Sequence, residues 1–408
     1  MKFHWFAEVT YPALPPDFPQ TQPTAWVTVP PELHDPLTMG RTYRMFLDLL
    51  EHADAEGFDG LAVNEHHQTA GAVTPSPNLL AASLAKNTKN AAILVIGDSL
   101  ALYNPPIRVA EEMAYIDCLS EGRLIAGFVY GTPMDSVFAY GTPPAEIRDR
   151  FAEAHDLIKR AWAATEPFPF NGRFTRLRYV NPWPRPVQKP YPPIWVPGSG
   201  SLETWDLVCE QNYCYGHLSF SGMKSAQPVV DAYWQHVADR GADDNPHRMA
   251  FTQIVCLANS DAEAEKLYYD AVKYFYTNTN RVSRGFAAAP GYRSVRSYSW
   301  ELDRQQANPD RDRAYRGELS FAEYNEKGFI IAGTPETVRE RIREVAKNLR
   351  IGQLIVTLHM GNLSEETARM NTELFAREVA PHLRDVWGEY PDHWTPKATQ
   401  RAAEEVTA

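Results

Sequence analysis

The chain has 408 residues, 44% of them hydrophobic, 12% aromatic and 22% charged, a profile that excludes a disordered or fibrous protein and allows a large core. Forty Lys and Arg against 51 Asp and Glu give a formal charge of −11, so no overall positive field exists to hold nucleic acid or an anionic membrane, and a small-molecule partner is expected. Cys118, Cys209, Cys214 and Cys256 lack disulfide-framework or zinc spacing and read as buried thiols of a reducing compartment. No basic segment with a long apolar run follows Met1, so a cytoplasmic location is expected.

Short apolar runs alternate with amphipathic stretches along nearly the whole chain, as repeated βα units around a parallel sheet require. The first strand is predicted at Phe3 to Glu8. Helix one follows a long gap, with Tyr43, Phe46, Leu47 and Leu50 on one face, and Gly57 ends it. Strands two to four are predicted at Gly60 to Asn64, Ile93 to Gly97 and Leu124 to Tyr130. Helices near Pro77 to Thr88, Pro106 to Leu119 and Ala145 to Ala164 alternate with these strands. A Pro-rich extended run leads to strand five, Ile194 to Val196, and a helix from Leu202. Strands six to eight are predicted at Tyr213 to Leu218, Ala250 to Leu257 and Gln353 to Leu358. Eight such strands favour a closed (β/α)8 TIM barrel over residues 1–385, with a polar, frayed tail at 386–408.

Two aperiodic stretches interrupt the count. Residues 10–40, with eight prolines, follow strand one, and residues 282–326, rich in Arg, Asp and Ser, fall in the strand-seven region. Both are read as lids on the active face, where long irregular segments in compact domains usually serve. The Arg run Arg281, Arg284, Arg293 and Arg296 reads most simply as a solvated loop.

A barrel of this kind carries its chemistry at the C-terminal ends of its strands. The residues there are Glu8, Asn64-Glu65-His66-His67, Asp98-Ser99, Tyr130-Gly131, Gly198-Ser199-Gly200-Ser201, His217 and His359. The adjacent His66 and His67 diverge along a strand, so they do not form an inward metal-binding pair, and no metal is expected. Four polar residues crowded after an apolar strand make His66 and Glu65 candidates for acid–base work, since imidazole titrates near neutrality; strand capping is the alternative. Gly198 to Leu202 joins a strand to a helix, where N–H groups and serine hydroxyls bind phosphate readily; a tight turn with a serine N-cap is the plainer reading. A planar ligand could lie against some of Trp5, Phe6, Phe128, Tyr130 and Trp195, although strand aromatics are more often core.

The order of these features resembles the bacterial luciferase-like flavin monooxygenases over almost the entire chain. The matching segments are Lys2-Phe3 with Tyr11-Pro12, Asn64-Glu65-His66-His67, Pro106 to Glu111 with Asp117 and Ser120 to Leu124, Phe138 to Gly141, Ser199 to Trp205, and Gly333-Thr-Pro-Glu336. The resemblance implies a (β/α)8 barrel that takes reduced FMN from a separate flavin reductase and reacts it with O2 to a flavin hydroperoxide, which oxygenates a small organic substrate. It implies that His66 supports the oxygen adduct and proton transfer. It puts Asn64 and Tyr130 at the flavin, Ser199 and the backbone near Leu202 at its phosphate, and Gly97-Asp98-Ser99 where the family often has a non-proline cis peptide. At the end of strand four the family's phosphate-gripping arginine is replaced by Tyr130. A deazaflavin-dependent oxidoreductase of the same fold, a barrel hydrolase using Glu8 and Glu65, and a non-catalytic flavin-binding protein are the alternatives. A homo-oligomer is expected.

Overall fold

The computed structural model describes residues 1–304 and 308–397. All eight predicted strands form: β1 (Lys2–Phe6), β2 (Gly60–Val63), β3 (Ala92–Val95), β4 (Leu124–Val129), β5 (Ile194–Gly198), β6 (Cys214–His217), β7 (Met249–Leu257) and β8 (Gln353–Thr357). Each pairs in parallel with the next, and β8 closes the ring on β1 with Lys2 opposite Gln353 and Phe6 opposite Thr357. Near-continuous apolar runs such as Ala-Ile-Leu-Val in β3 suit strands covered on both faces.

The helices follow their local signals. Helix α1 (Pro36–Ala55) starts with proline in its first turn and an Asp35 cap, whose carboxylate accepts from the Thr38 N–H at 2.8 Å. Gly57, at φ +85°, turns the chain out of it. Helices α2 (Pro77–Asn87), α3 (Ile107–Leu119), α4 (Ile147–Ala163), α5 (Leu202–Gln211), α6 (Met223–Asp239), α7 (Asp261–Tyr274), α8 (Pro335–Asn348) and α9 (Glu365–Leu374) complete the jacket. The main core lies between jacket and barrel wall. A second cluster, including Phe6, Leu94, Ile125, Trp195, Ala250 and Ile355, fills the barrel itself.

Several expectations need correction. The stretch read as a tail contributes Trp394 to the barrel's inner cluster. The Trp195 indole donates to the Trp394 carbonyl at 2.9 Å, and the Trp394 indole donates to the Asn212 carbonyl at 2.9 Å. Residues 398–408 lie outside the described residues. Trp394→Ala should cost about 3–5 kcal/mol, as large-to-small changes of buried aromatics do. A chemical-denaturation midpoint within error of the parent's would show that the plug contributes nothing.

The lid of residues 282–326 divides in two. From Pro309 onward the segment is anchored in the core by Ala314, Leu319, Phe321 and Tyr324, all buried, with Tyr324 stacked on Tyr276. Its apolar residues are too irregularly spaced to show a period. Only 282–304 lies over the strand ends, with Tyr292 bonding the Gly131 carbonyl and Phe286 packing edge-on to Phe138 at 5.1 Å. The first insertion covers the same face: the Val27 N–H donates to the Gln68 carbonyl at 2.7 Å and Ala25 N–H to Arg281 at 2.9 Å. The Pro-rich run contains an antiparallel hairpin, Phe168–Asn171 with Arg176–Val180, and a ninth parallel strand, Ile330–Gly333, pairs with the far half of β7. The cysteines are free, but Cys118 is exposed and Cys209 half-buried, so only Cys214 and Cys256 fit the buried-thiol reading. Among the described residues no helix is long and apolar enough to cross a membrane.

Candidate active site

The strand-two exit delivers Asn64 to His67 to the barrel mouth, and the loop after β4 meets it. His66 Nδ1 lies 2.8 Å from the Asp135 carboxylate. The same Asp135 oxygen accepts from the Thr132 hydroxyl at 2.6 Å, and the other accepts from the His67 N–H at 2.8 Å. Asp135 stands in a π-helical turn, Met134–Ala139, that starts with Pro133 just beyond the strand end. Burial opposes charge on both partners. On His66 the Asp135 charge and hydrogen bond, with Glu8 and Glu65, outweigh burial and push the imidazole up to about 9. On Asp135, burial is outweighed by His66, Thr132 and the His67 N–H, and the carboxyl lies below its usual range. His66 is therefore an imidazolium at neutral pH, its Nδ1–H donated to Asp135 and its side chain 19% exposed. Trp26 from the first insertion packs edge-on to it at 4.8 Å.

Glu8 and Asn64 form the next layer. The Asn64 amide donates to Glu8 at 2.8 Å and accepts from Thr74 at 3.3 Å. Burial raises the Glu8 carboxyl, against the lowering pull of His66 and Asn64. Glu65 turns away from His66. It accepts from the Ser99 N–H at 2.8 Å and the Tyr103 hydroxyl at 3.2 Å, and lies 2.7 Å from His67 Nε2. Its buried carboxylate thus ties His67 to the Ser99 loop. Asp98 joins this layer through Asn78 at 3.0 Å. Burial first, then the nearby carboxylates Glu65 and Glu112, raise its carboxyl well above the usual range.

The floor beside these groups is a close approach of two strands. A Cβ on Gly97 would lie 2.4 Å from the Gly127 carbonyl, and one on Gly127 would lie 1.8 Å from the Val95 oxygen, so only glycine fits at either position. The peptide Ile96-Gly97 is cis, at the entry to the Gly97-Asp98-Ser99 segment named from the resemblance.

The third element is the start of α5. Gly198, exposed Ser199 and Gly200, at φ +107°, lead to Ser201 and the first turn of the helix. The positive charge expected at Tyr130 comes instead from the first turn of α4. The Arg148 guanidinium lies 4.9 Å over the Tyr130 ring and donates to the Ser201 hydroxyl at 3.2 Å. Its Nε and Nη1 are buried without a hydrogen-bond partner. An arginine with two unspent N–H groups beside a helix N-terminus suits an anion with several oxygens.

Two candidates leave the site. His217 stacks on Phe251 at 5.8 Å and His359 packs edge-on to Phe46 of α1 at 4.7 Å, so both lie among outer-core residues, not in the mouth. Of the five aromatics, Tyr130 lies under Arg148 and Phe6 fills the barrel near its mouth. Trp195 is deep in the barrel, Phe128 packs on Trp162, and Trp5 bonds Thr372 of α9. Asp135, Arg148 and Trp26 were missed, since none is at a strand end; an acidic side chain five positions beyond Tyr130 was the available signal for Asp135.

Residues 24–351 match the family model described as luciferase-like monooxygenase. Limonene 1,2-monooxygenase of Rhodococcus erythropolis is 26% identical over 348 residues, covering 83% of this chain and 80% of that protein. The oxygenating constituent of 3,6-diketocamphane monooxygenase from Pseudomonas putida, solved with FMN, superposes with TM-score 0.66 and 22% identity over 84% of this chain and 93% of that one. An F420-dependent secondary alcohol dehydrogenase shares the fold, with TM-score 0.61 and 15% identity over 94% of this chain and 99% of that one.

Proposed function

The chain belongs to the luciferase-like monooxygenase family, and on that premise we propose that it is the oxygenating component of a two-component system. A separate flavin reductase supplies reduced FMN, and one atom of O2 goes to a small neutral organic substrate. The observation that carries this reading is His66, held as an imidazolium by Asp135 at the barrel mouth.

The residues present suit FMN. Arg148, Ser199, Ser201 and the start of α5 would hold the phosphate, and Gly97 and Gly127 let the backbones of the two strands close together beneath the mouth. Reduced flavin, when bound, supplies the electrons that activate O2. The chain's own task is then protonic and protective. His66 presents a proton where oxygen chemistry generates negative charge, Asp135 fixes the ring and restores its charge, and Trp26 with the 282–304 lid excludes water. The resemblance to a camphor-ketone oxygenase and a limonene oxygenase supports an apolar substrate.

The test is to supply the protein with reductase, NADH and FMN in air together with a panel of apolar ketones and alkenes, following 18O from O2 into product. Label in product supports the reading. Substrate oxidation with no label, with oxidised deazaflavin accepting the hydride in place of FMN and O2, would transfer the protein to hydride chemistry.

The phosphate assignment has its own check. Ser199→Asp should weaken FMN by about tenfold or more while riboflavin changes little, because only FMN brings a phosphate against the new charge at the helix start. Equal losses for both ligands, measured by flavin fluorescence, would move the phosphate elsewhere.

A further inference from the structure

The start of α5 holds an arrangement that a phosphate site alone does not explain. The Glu203 side chain folds back over the helix end and accepts from Ser201 at 2.9 Å, from Ser297 at 2.5 Å and from Ser294, while Arg148 pairs with it at 3.6 Å. Ser297 also accepts the Leu202 N–H at 3.1 Å, one of the unpaired donors of α5. Ser294 and Ser297 belong to the lid, at and within the helix Val295–Arg304. That helix is anchored on α5 by Arg296 to Asp206 at 2.6 Å and by Trp300 edge-on to Trp205 at 5.1 Å. Four groups that could each donate to an anion thus converge on one carboxylate, and two of them come from the lid.

We propose that Ser294 and Ser297 form the lid's half of the flavin-phosphate site, and that Glu203 is a placeholder that a phosphate displaces. The inference rests on the reading that a flavin phosphate binds at this helix start. A phosphate carries more charge and more acceptor oxygens than a carboxylate, so it competes favourably for Arg148, the serines and the helix end. Glu203, with its side chain one-quarter exposed, can swing to water. The 3.6 Å pairing leaves Arg148 Nε and Nη1 without hydrogen bonds, which a larger anion in the same place would satisfy. The consequence is functional: the phosphate, remote from the reacting ring, fastens the segment that also reaches the Gly131 loop through Tyr292. The lid would close firmly only over a phosphorylated flavin.

Four proteins test this: the parent, the Ser294→Ala/Ser297→Ala double variant, Ser297→Thr and Glu203→Gln. Each is titrated with FMN and with riboflavin, and protease cleavage within 282–304 is followed with each ligand. In the parent, FMN should slow cleavage and riboflavin should not. The double variant should lose that protection and about tenfold of its preference for FMN, the size expected for losing hydrogen bonds to a charged group. Ser297→Thr, which keeps the hydroxyl, should restore part of both and shows that the loss is not a folding defect. Glu203→Gln should tighten FMN several-fold without affecting riboflavin. A double variant that keeps both protection and preference, or a Glu203→Gln variant that weakens FMN, overturns the proposal while leaving the phosphate seat intact. A parent that binds FMN and riboflavin equally overturns the seat itself, and the lid reading falls with it.

Discussion

Replacing His66 with alanine should lower turnover by about 10²–10⁴-fold, the usual contribution of a positioned proton donor, which corresponds to roughly 3–5 kcal/mol of transition-state stabilisation. Flavin binding should change little, because the groups assigned to the phosphate are Arg148, Ser199, Ser201 and the end of α5. The alanine variant also strands Asp135, a carboxylate 1% exposed, so part of any loss could come from rearrangement of its loop. His66→Gln separates the two, since an amide can donate to Asp135 but has no proton to transfer. Both variants should fail alike in single-turnover reactions at matched flavin occupancy. Full activity in the glutamine variant would reduce His66 to a hydrogen-bonding post, and full activity in both would remove it from the chemistry.

Asp135→Asn should move the alkaline limb of the pH profile. In the parent, burial disfavours the imidazolium, but Asp135 more than compensates and the group titrates near 9. Turnover that needs the proton should hold through pH 8 and fall as pH rises through about 9. Without the Asp135 charge only Glu8 and Glu65 oppose burial, and the group falls toward its ordinary value near 6.5. At pH 7.5 about one molecule in ten would then carry the proton, so the rate falls about tenfold there and recovers on acidification. Stability follows the same sign. A histidine whose folded value is raised contributes fully below about 6.5, and its contribution is lost as pH rises through 9. Asp135, held below its usual range, contributes above that range and loses its contribution as pH falls through its depressed value. An unshifted alkaline limb in the variant would separate the pair from the rate.

The barrel was legible because its strands are short apolar runs between turn residues and its helices bury one periodic face, as in Val338, Ile342 and Ala346 of α8. The strand-end rule brought out Asn64, His66 and the Gly198 to Leu202 turn. It failed where groups reach the mouth from elsewhere. Asp135 sits one turn into a loop, Arg148 begins a helix where a cation reads as a solvated charge, and Trp26 arrives from a proline-rich insertion with no period. It also over-counted, since His217 and His359 occupy strand ends but turn into the outer core. Side-chain direction at a frayed strand end depends on the loop that follows, which periodicity does not encode. The boundary of the lid was hidden for a related reason: Leu319, Phe321 and Tyr324 are buried through long-range contacts, not through a repeating face.

The central claim is that a charged His66 acts on oxygen chemistry at a flavin bound in this mouth. Rapid mixing of the protein, loaded anaerobically with reduced FMN, against O2 across pH 6 to 10 tests it directly. The account predicts an absorbing species that outlives the oxidation of free reduced FMN, persists below pH 8, decays faster as pH passes about 9, and is lost in His66→Ala although flavin remains bound. Reoxidation at the rate of free flavin at every pH, identical in parent and variant, would contradict it.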